Sequence, residues 1–162
     1  MKTLYLTRHA KSEHGLNYAS DAERPLNERG KLAAPQMGQW LLEEGVQIDR
    51  IITSTAQRAV MTAYGIASAL GYPESDIDQN PEIYNADVKI LIKLINGLDN
   101  RYDNIMLVGH NPTFTLAANH LGDRTISHMP TCTICALQFE IDDWQTVDYG
   151  LATTLFCESP KR

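Results

Sequence analysis

The sequence is poor in cysteine, in basic charge and in long apolar runs, and each shortage excludes a class of protein. Three Cys, an odd number, fit a reducing compartment and plain buried thiols better than a disulfide framework. Cys132 and Cys135 are spaced as C-x-x-C, but a strand expected over 131–140 turns positions i and i+3 to opposite faces, so they read as core residues. Fourteen Lys and Arg against twenty Asp and Glu leave a formal net charge of -6. This balance argues against broad binding of nucleic acid or an anionic membrane, both of which need a basic face. No apolar run approaches the roughly 18 residues of a membrane span, and Met1–Thr7 carries no signal-peptide pattern, so a cytoplasmic location is the default expectation. The five His make no H-E-x-x-H and no other zinc spacing, and no carboxylate cluster has metal spacing, so no metal or other cofactor is expected. No repeat, low-complexity segment or linker appears. With 43% hydrophobic and 21% charged residues, one globular domain over 1–162 is expected.

What is present starts with Lys2–Ala10, a short apolar run that stops on Arg8 and His9. Leu4, Tyr5 and Leu6 are too few for a helix and favour a strand, which would deliver Arg8 and His9 at its carboxyl end. Open α/β sheets bind ligands just beyond the carboxyl ends of parallel strands. The Arg fork matches phosphate oxygens and a neutral imidazole is a nucleophile, so the pair points to phosphoryl chemistry. The pattern recurs downstream. Ile105–Val108 runs into Gly109 and His110, with Asn111 expected as a helix cap and Pro112 as the first helical residue. An anion there would meet free backbone N–H groups and the positive end of a helix dipole. Between the copies, Ile51, Ile52 and Thr53 lead to Ser54 or Thr55 as a cap and to Arg58 near the first turn. Two Arg and two His are thereby expected on one edge of one sheet.

At these residues the chain resembles the histidine phosphatase superfamily, the phosphoglycerate-mutase-like fold. The family's Arg-His-Gly matches Arg8, His9 and Ala10, with Ala in place of Gly; its helix Arg matches Arg58 and its second His matches His110. Ser20-Asp21-Ala22-Glu23-Arg24-Pro25-Leu26 with Gly30 is similar to the loop of the small phosphohistidine phosphatases. The resemblance runs from about residue 3 to the helix after His110, and it implies a three-layer α/β sandwich, a mostly parallel central sheet with helices on both faces. It implies His9 as nucleophile, Arg8, Arg58 and His110 around the phosphoryl group, and Arg24 as a third cation. For the leaving-group proton, the mutase branch suggests Glu82; Asp21 is a second candidate, and Asn111 stands where the phytase-like branch has its Asp.

The rest of the chain supports this frame. The polar stretch Lys11–Arg24 is long enough to be functional, and Ser12 and Asn17 are candidate phosphate contacts, as is Asn111. A helix is expected from Asn27 to about Glu44 with Leu32, Met37, Trp40 and Leu41 as its apolar stripe and a kink or late start at Pro35. Further helices are expected over 56–70, 87–98 and 112–121, a short strand near Ile83, and a hairpin from 134–141 and 151–157 at the sheet edge. The expected activity is a metal-independent phosphatase working through a phosphohistidine intermediate. Its partner would be a phosphohistidine-bearing protein or a small phosphoester, without nucleic acid or membrane, and the protein a monomer. The alternatives are a small-molecule phosphomonoesterase, a phosphomutase, or a phosphate-binding module without turnover. Few residues remain to build the lid that a mutase needs.

Overall fold

The computed structural model describes residues 1–161, the side chain of Leu16 apart. Among the described residues, strands and helices alternate as far as α4 and two strands follow: β1 (Lys2–Arg8), α1 (Glu28–Glu43), β2 (Arg50–Thr53), α2 (Gln57–Leu70), β3 (Asp78–Gln79), α3 (Val88–Asn96), β4 (Asn104–Gly109), α4 (Thr113–Leu121), β5 (Ile134–Phe139) and β6 (Thr153–Glu158). The strands form one sheet in the order β3-β2-β4-β1-β5-β6. β1 and β2 both pair in parallel with β4, and β3 pairs in parallel with β2, whereas β5 runs antiparallel to β1 and to the edge strand β6.

Strand alternation sorts the apolar side chains into two layers. Leu4 and Leu6 of β1 and Ile105 and Leu107 of β4 face α3 and α4, packing with Leu91, Ile95, Phe114 and Leu121. Tyr5, Met106 and Val108 face the other way, against Met37 and Leu41 of α1 and Ala63 and Ile66 of α2. Helices cover both faces of a mixed sheet, the three-layer arrangement of the phosphoglycerate-mutase-like fold. α1 and α2 cross tightly: a Cβ on Gly65 would come within 2.7 Å of the Ala34 methyl, and one on Gly38 would run into the Ile66 carbonyl.

Several details differ from expectation. α1 starts at Glu28, with Asn27 Oδ1 accepting from Gly30 N at 2.9 Å, and runs continuously through Pro35, so the start is not late. Leu32 is 75% exposed, because nine residues separate it from Leu41 and an α-helix puts that interval on opposite sides. The short strand lies at 78–79; Ile83 sits instead in a 3-10 turn, Pro81–Ile83, with its side chain in the α3/α4 layer. β5 begins only at Ile134, since Cys132 takes a left-handed backbone, φ 63°. Cys132 and Cys135 do fall on opposite faces of the sheet. The expectation of three free thiols fails: the β5–β6 register sets Cys135 opposite Cys157, with Cα atoms 4.1 Å apart, and the two form a disulfide. Cys132 is free and buried, its thiol pushed up to about 12 by burial.

Candidate active site

The parallel strands β1, β2 and β4 all end on one edge. The ladder carries on past β1, with His9 N donating to Gly109 O at 3.0 Å, so the residues after β1 and β4 are fixed beside each other. The imidazoles of His9 and His110 lie with centroids 5.3 Å apart. Arg58, 6% exposed, comes from the first turn of α2. Together with Arg8 and Arg24 they line a pocket of about 350 Å3, to which Lys11, Ser12, His14, Asn111 and Thr131 also contribute.

His9 is 8% exposed, and its Nδ1 lies 2.7 Å from the carbonyl oxygen of Ala10. A carbonyl only accepts, so Nδ1 carries the proton and Nε2 keeps its lone pair. Burial, together with His110, Arg58 and Arg8 nearby, lowers the His9 pKa to about 3, although the Ala10 contact opposes the shift. His110 is lowered to about 4 by burial and by Arg58. Both rings are therefore neutral at pH 7. The segment around His9 is tied to α2: Ala10 N donates to Thr62 Oγ1 at 2.9 Å, and Thr62 Oγ1 donates to Arg58 O at 2.7 Å.

Arg24 and Arg58 meet at Asp21, whereas Arg8 Nη1 donates to Met129 O at 2.9 Å. The Asp21 carboxylate accepts from Tyr84 Oη at 2.6 Å, from Arg58 Nη2 at 2.9 Å and from Arg24 Nη2 at 2.9 Å. These partners, the Tyr84 hydroxyl first, hold the Asp21 carboxyl well below the usual range. Tyr84 also sets its ring edge-on to His110, with centroids 5.5 Å apart, and lies under the Arg58 guanidinium. Even so, hydrogen-bonding capacity is left over. Arg8 Nε, Arg58 Nε and His110 Nδ1 are buried and make no hydrogen bond within the protein.

Not every expected residue reaches this pocket. Glu82 is exposed and lines a separate surface hollow with Ile90 and Lys93. Asn80 Oδ1 accepts from Glu82 N at 2.9 Å and starts a 3-10 turn there. At about three residues per turn, positions two apart face different ways, so Tyr84 reaches the site and Glu82 does not. Asn17 is exposed in the 3-10 turn Gly15–Asn17 and does not line the pocket. Ser12 does line it, with its hydroxyl accepting from Arg24 Nη1 at 3.1 Å. Asn111 is present too, but its amide is spent on structure, donating to Met129 O at 2.9 Å and accepting from Thr115 N at 3.2 Å.

The two helix caps also moved by a residue or more. Pro112, not Asn111, occupies the cap of α4, which starts at Thr113. Ala56 caps α2, leaving Ser54 to accept from Ala56 N at 3.2 Å and to bond His110 Nε2 at 2.8 Å. Ser54 and Tyr84 are thus site residues that the spacing of the sequence did not single out.

Comparison with known proteins matches residues 4–91 to the histidine phosphatase superfamily (branch 1). An uncharacterized protein of Mycobacterium tuberculosis (strain H37Rv) is 30% identical over 166 residues, which cover 95% of this chain and 99% of that protein. The phosphohistidine phosphatase SixA of Escherichia coli K12 is 28% identical over 111 residues, 67% of each chain. A solved structure of the protein histidine phosphatase SixA complexed with tungstate superposes with a TM-score of 0.82 at 24% identity, covering 98% of this chain and 97% of that one.

Proposed function

The chain belongs to the histidine phosphatase superfamily (branch 1) and is a phosphatase, and from that membership we propose that it dephosphorylates phosphohistidine on a protein, through a phosphoryl group carried on His9 and without a metal ion. The observation that carries the reading is the Nδ1–H of His9 donating to Ala10 O at 2.7 Å, which leaves Nε2 as the nucleophile. The lone pair of Nε2 attacks phosphorus in line. The bond to the leaving nitrogen breaks, its electron pair departs with that nitrogen, and phosphorus becomes bonded to His9. Water then attacks the phosphoryl group, releases phosphate and returns His9 to its neutral form.

Arg8, Arg58 and Arg24 hold the equatorial oxygens and offset the charge that spreads over them in the transition state. An incoming dianion competes with Asp21 for the forks of Arg58 and Arg24. His110, oriented by Ser54, supplies a further donor once the dianion has raised its affinity for a proton. Cations fill the part that Mg²⁺ plays in many phosphoryl-transfer sites, and among the described residues no three His, Cys, Asp or Glu gather as a metal set.

The choice of phosphohistidine follows from the acid. Glu82 lies outside the pocket and Asp21 is held ionised, so no carboxylic acid is poised to protonate a leaving alkoxide. A phosphoramidate nitrogen is readily protonated near neutral pH and asks far less of an acid. The test is kcat/KM on a phosphohistidine-bearing protein, an aryl phosphate and an alkyl phosphoester, in wild type and Glu82→Gln. The expected order is phosphohistidine, then aryl, then alkyl, unchanged by the substitution and by EDTA. Fast alkyl ester hydrolysis that collapses in Glu82→Gln would overturn the reading in favour of a small-molecule phosphomonoesterase.

A further inference from the structure

Beside the catalytic pocket, and sharing Lys11 and Thr131 with it, lies a second hollow of about 310 Å3. Its walls come from four places: Lys11 after β1, Arg29 and Leu32 in the first turns of α1, the Pro130–Thr131 segment before β5, and residues 159–161 after β6. Among the described residues, Lys11, Arg29 and Lys161 are the charged residues that line it. Among the described residues, none of the three joins an ion pair, whereas neighbouring Lys31 and Arg24 are neutralised by Glu28 and Asp21.

This is contrary to the chain's composition. In a protein of net charge -6, three cations converge on a hollow that no Asp or Glu among the described residues lines. The phosphoryl group does not need them, since Arg8, Arg24 and Arg58 already stand around its place. Leu32, 75% exposed, adds an apolar contact on the same wall. We propose that the hollow seats an acidic stretch of the protein substrate, flanking its phosphohistidine, with an apolar side chain of that stretch against Leu32; the proposal rests on the protein-phosphohistidine reading above. Charge pairs on an open rim act through encounter and are screened by salt, so the preference belongs in KM and fades at high ionic strength.

The experiment uses two phosphohistidine peptides, one flanked by Glu and one by Ala, together with an aryl phosphate. They are assayed with wild type and with Arg29→Glu/Lys161→Glu; Lys11 is left intact because it also lines the catalytic pocket. At low salt the wild type should favour the Glu-flanked peptide by about tenfold in kcat/KM, the variant should lose this preference through KM, and both should treat the other two substrates alike. Equal wild-type rates on the two peptides, or equal losses on all three substrates in the variant, would overturn the proposal. Fluorescence polarisation with the unphosphorylated Glu-flanked peptide keeps the two readings apart. Binding that the variant abolishes, with no turnover of any phosphohistidine peptide, supports the docking site and sinks the dephosphorylation reading; turnover without a flank preference does the reverse. Equally tight binding of a DNA oligonucleotide of matched charge, lost in the same variant, would show an unselective anion patch and overturn the assignment.

Discussion

At the scale of the residue, the nucleophilic role proposed for His9 depends on one contact that no sequence pattern encodes, the Nδ1–H bond to the carbonyl of its own neighbour Ala10. His9→Ala removes the proposed nucleophile and leaves Arg8, Arg24, Arg58 and His110 in place. We expect turnover to fall by at least about a thousandfold, with an unchanged circular dichroism spectrum and retained phosphate binding. Wild type should show an acid-labile, base-stable phosphoryl label during turnover and the variant none; undiminished rates in the variant would mean that water attacks directly. Ser54→Ala tests the neighbouring ring. Without its 2.8 Å bond to Ser54, His110 loses its orientation, and kcat should drop by about tenfold, a loss typical of removing a positioning partner. An equal kcat would make Ser54 a bystander. Arg8, His9, Arg58 and His110 were legible because each follows a short apolar run, so local pattern and tertiary position coincide. Ser54 and Tyr84 were not, because their partners His110 and Asp21 lie 56 and 63 residues away in the chain.

At the scale of the element, α2 presents Arg58 and Thr62 to the site, so its seating against α1 sets the height of the Arg58 fork. That seating depends on Gly38 and Gly65 letting the two helices close up. Gly38→Ala places two effects in opposition. Alanine is the better helix former by about 1 kcal/mol, but a methyl driven into the Ile66 carbonyl overpacks the crossing at about 1–3 kcal/mol. The second effect wins, and the thermal midpoint should fall by several degrees. Leu32→Ala, on the exposed side of the same helix, should change stability by no more than about 0.5 kcal/mol. A stabilised Gly38→Ala, or a Leu32→Ala as damaging as a core truncation, would contradict this packing. The helix itself was legible from its apolar spacing; which of its leucines were buried was not, since Leu32 fits a loose stripe and only the sheet's position excludes it. Likewise the cystine between Cys135 and Cys157 depends on strand register, which a separation of 22 residues does not reveal.

At the scale of the whole molecule, building the site loads the fold with one buried and one half-buried neutral histidine, and this ties stability to pH. Burial lowers His9 to about 3 and His110 to about 4, while in the unfolded chain both would protonate near the ordinary value of about 6.5. Below that value the unfolded state binds protons that the folded state refuses. The stability these rings permit is therefore complete above about pH 6.5 and declines as pH falls toward their folded values, by up to about 1.4 kcal/mol per pH unit for each histidine. Asp21 adds to the same trend lower down, because its depressed pKa gives stability that is present above the ordinary carboxylate range and lost below it. The urea midpoint of the wild type should accordingly fall between pH 7 and pH 5, before most carboxylates titrate. A His9→Asn/His110→Asn variant should keep most of its pH 7 midpoint at pH 5, since both imidazoles whose pKa the fold lowers are gone. If the variant shows the same slope as the wild type, the acid sensitivity arises elsewhere and the neutral state assigned to the two rings is wrong. The same pair of values predicts that kcat/KM for an aryl phosphate, in the range where the protein stays folded, does not fall as pH drops through 6.5. An acid limb at that value would mean that His9 is protonated in the free enzyme.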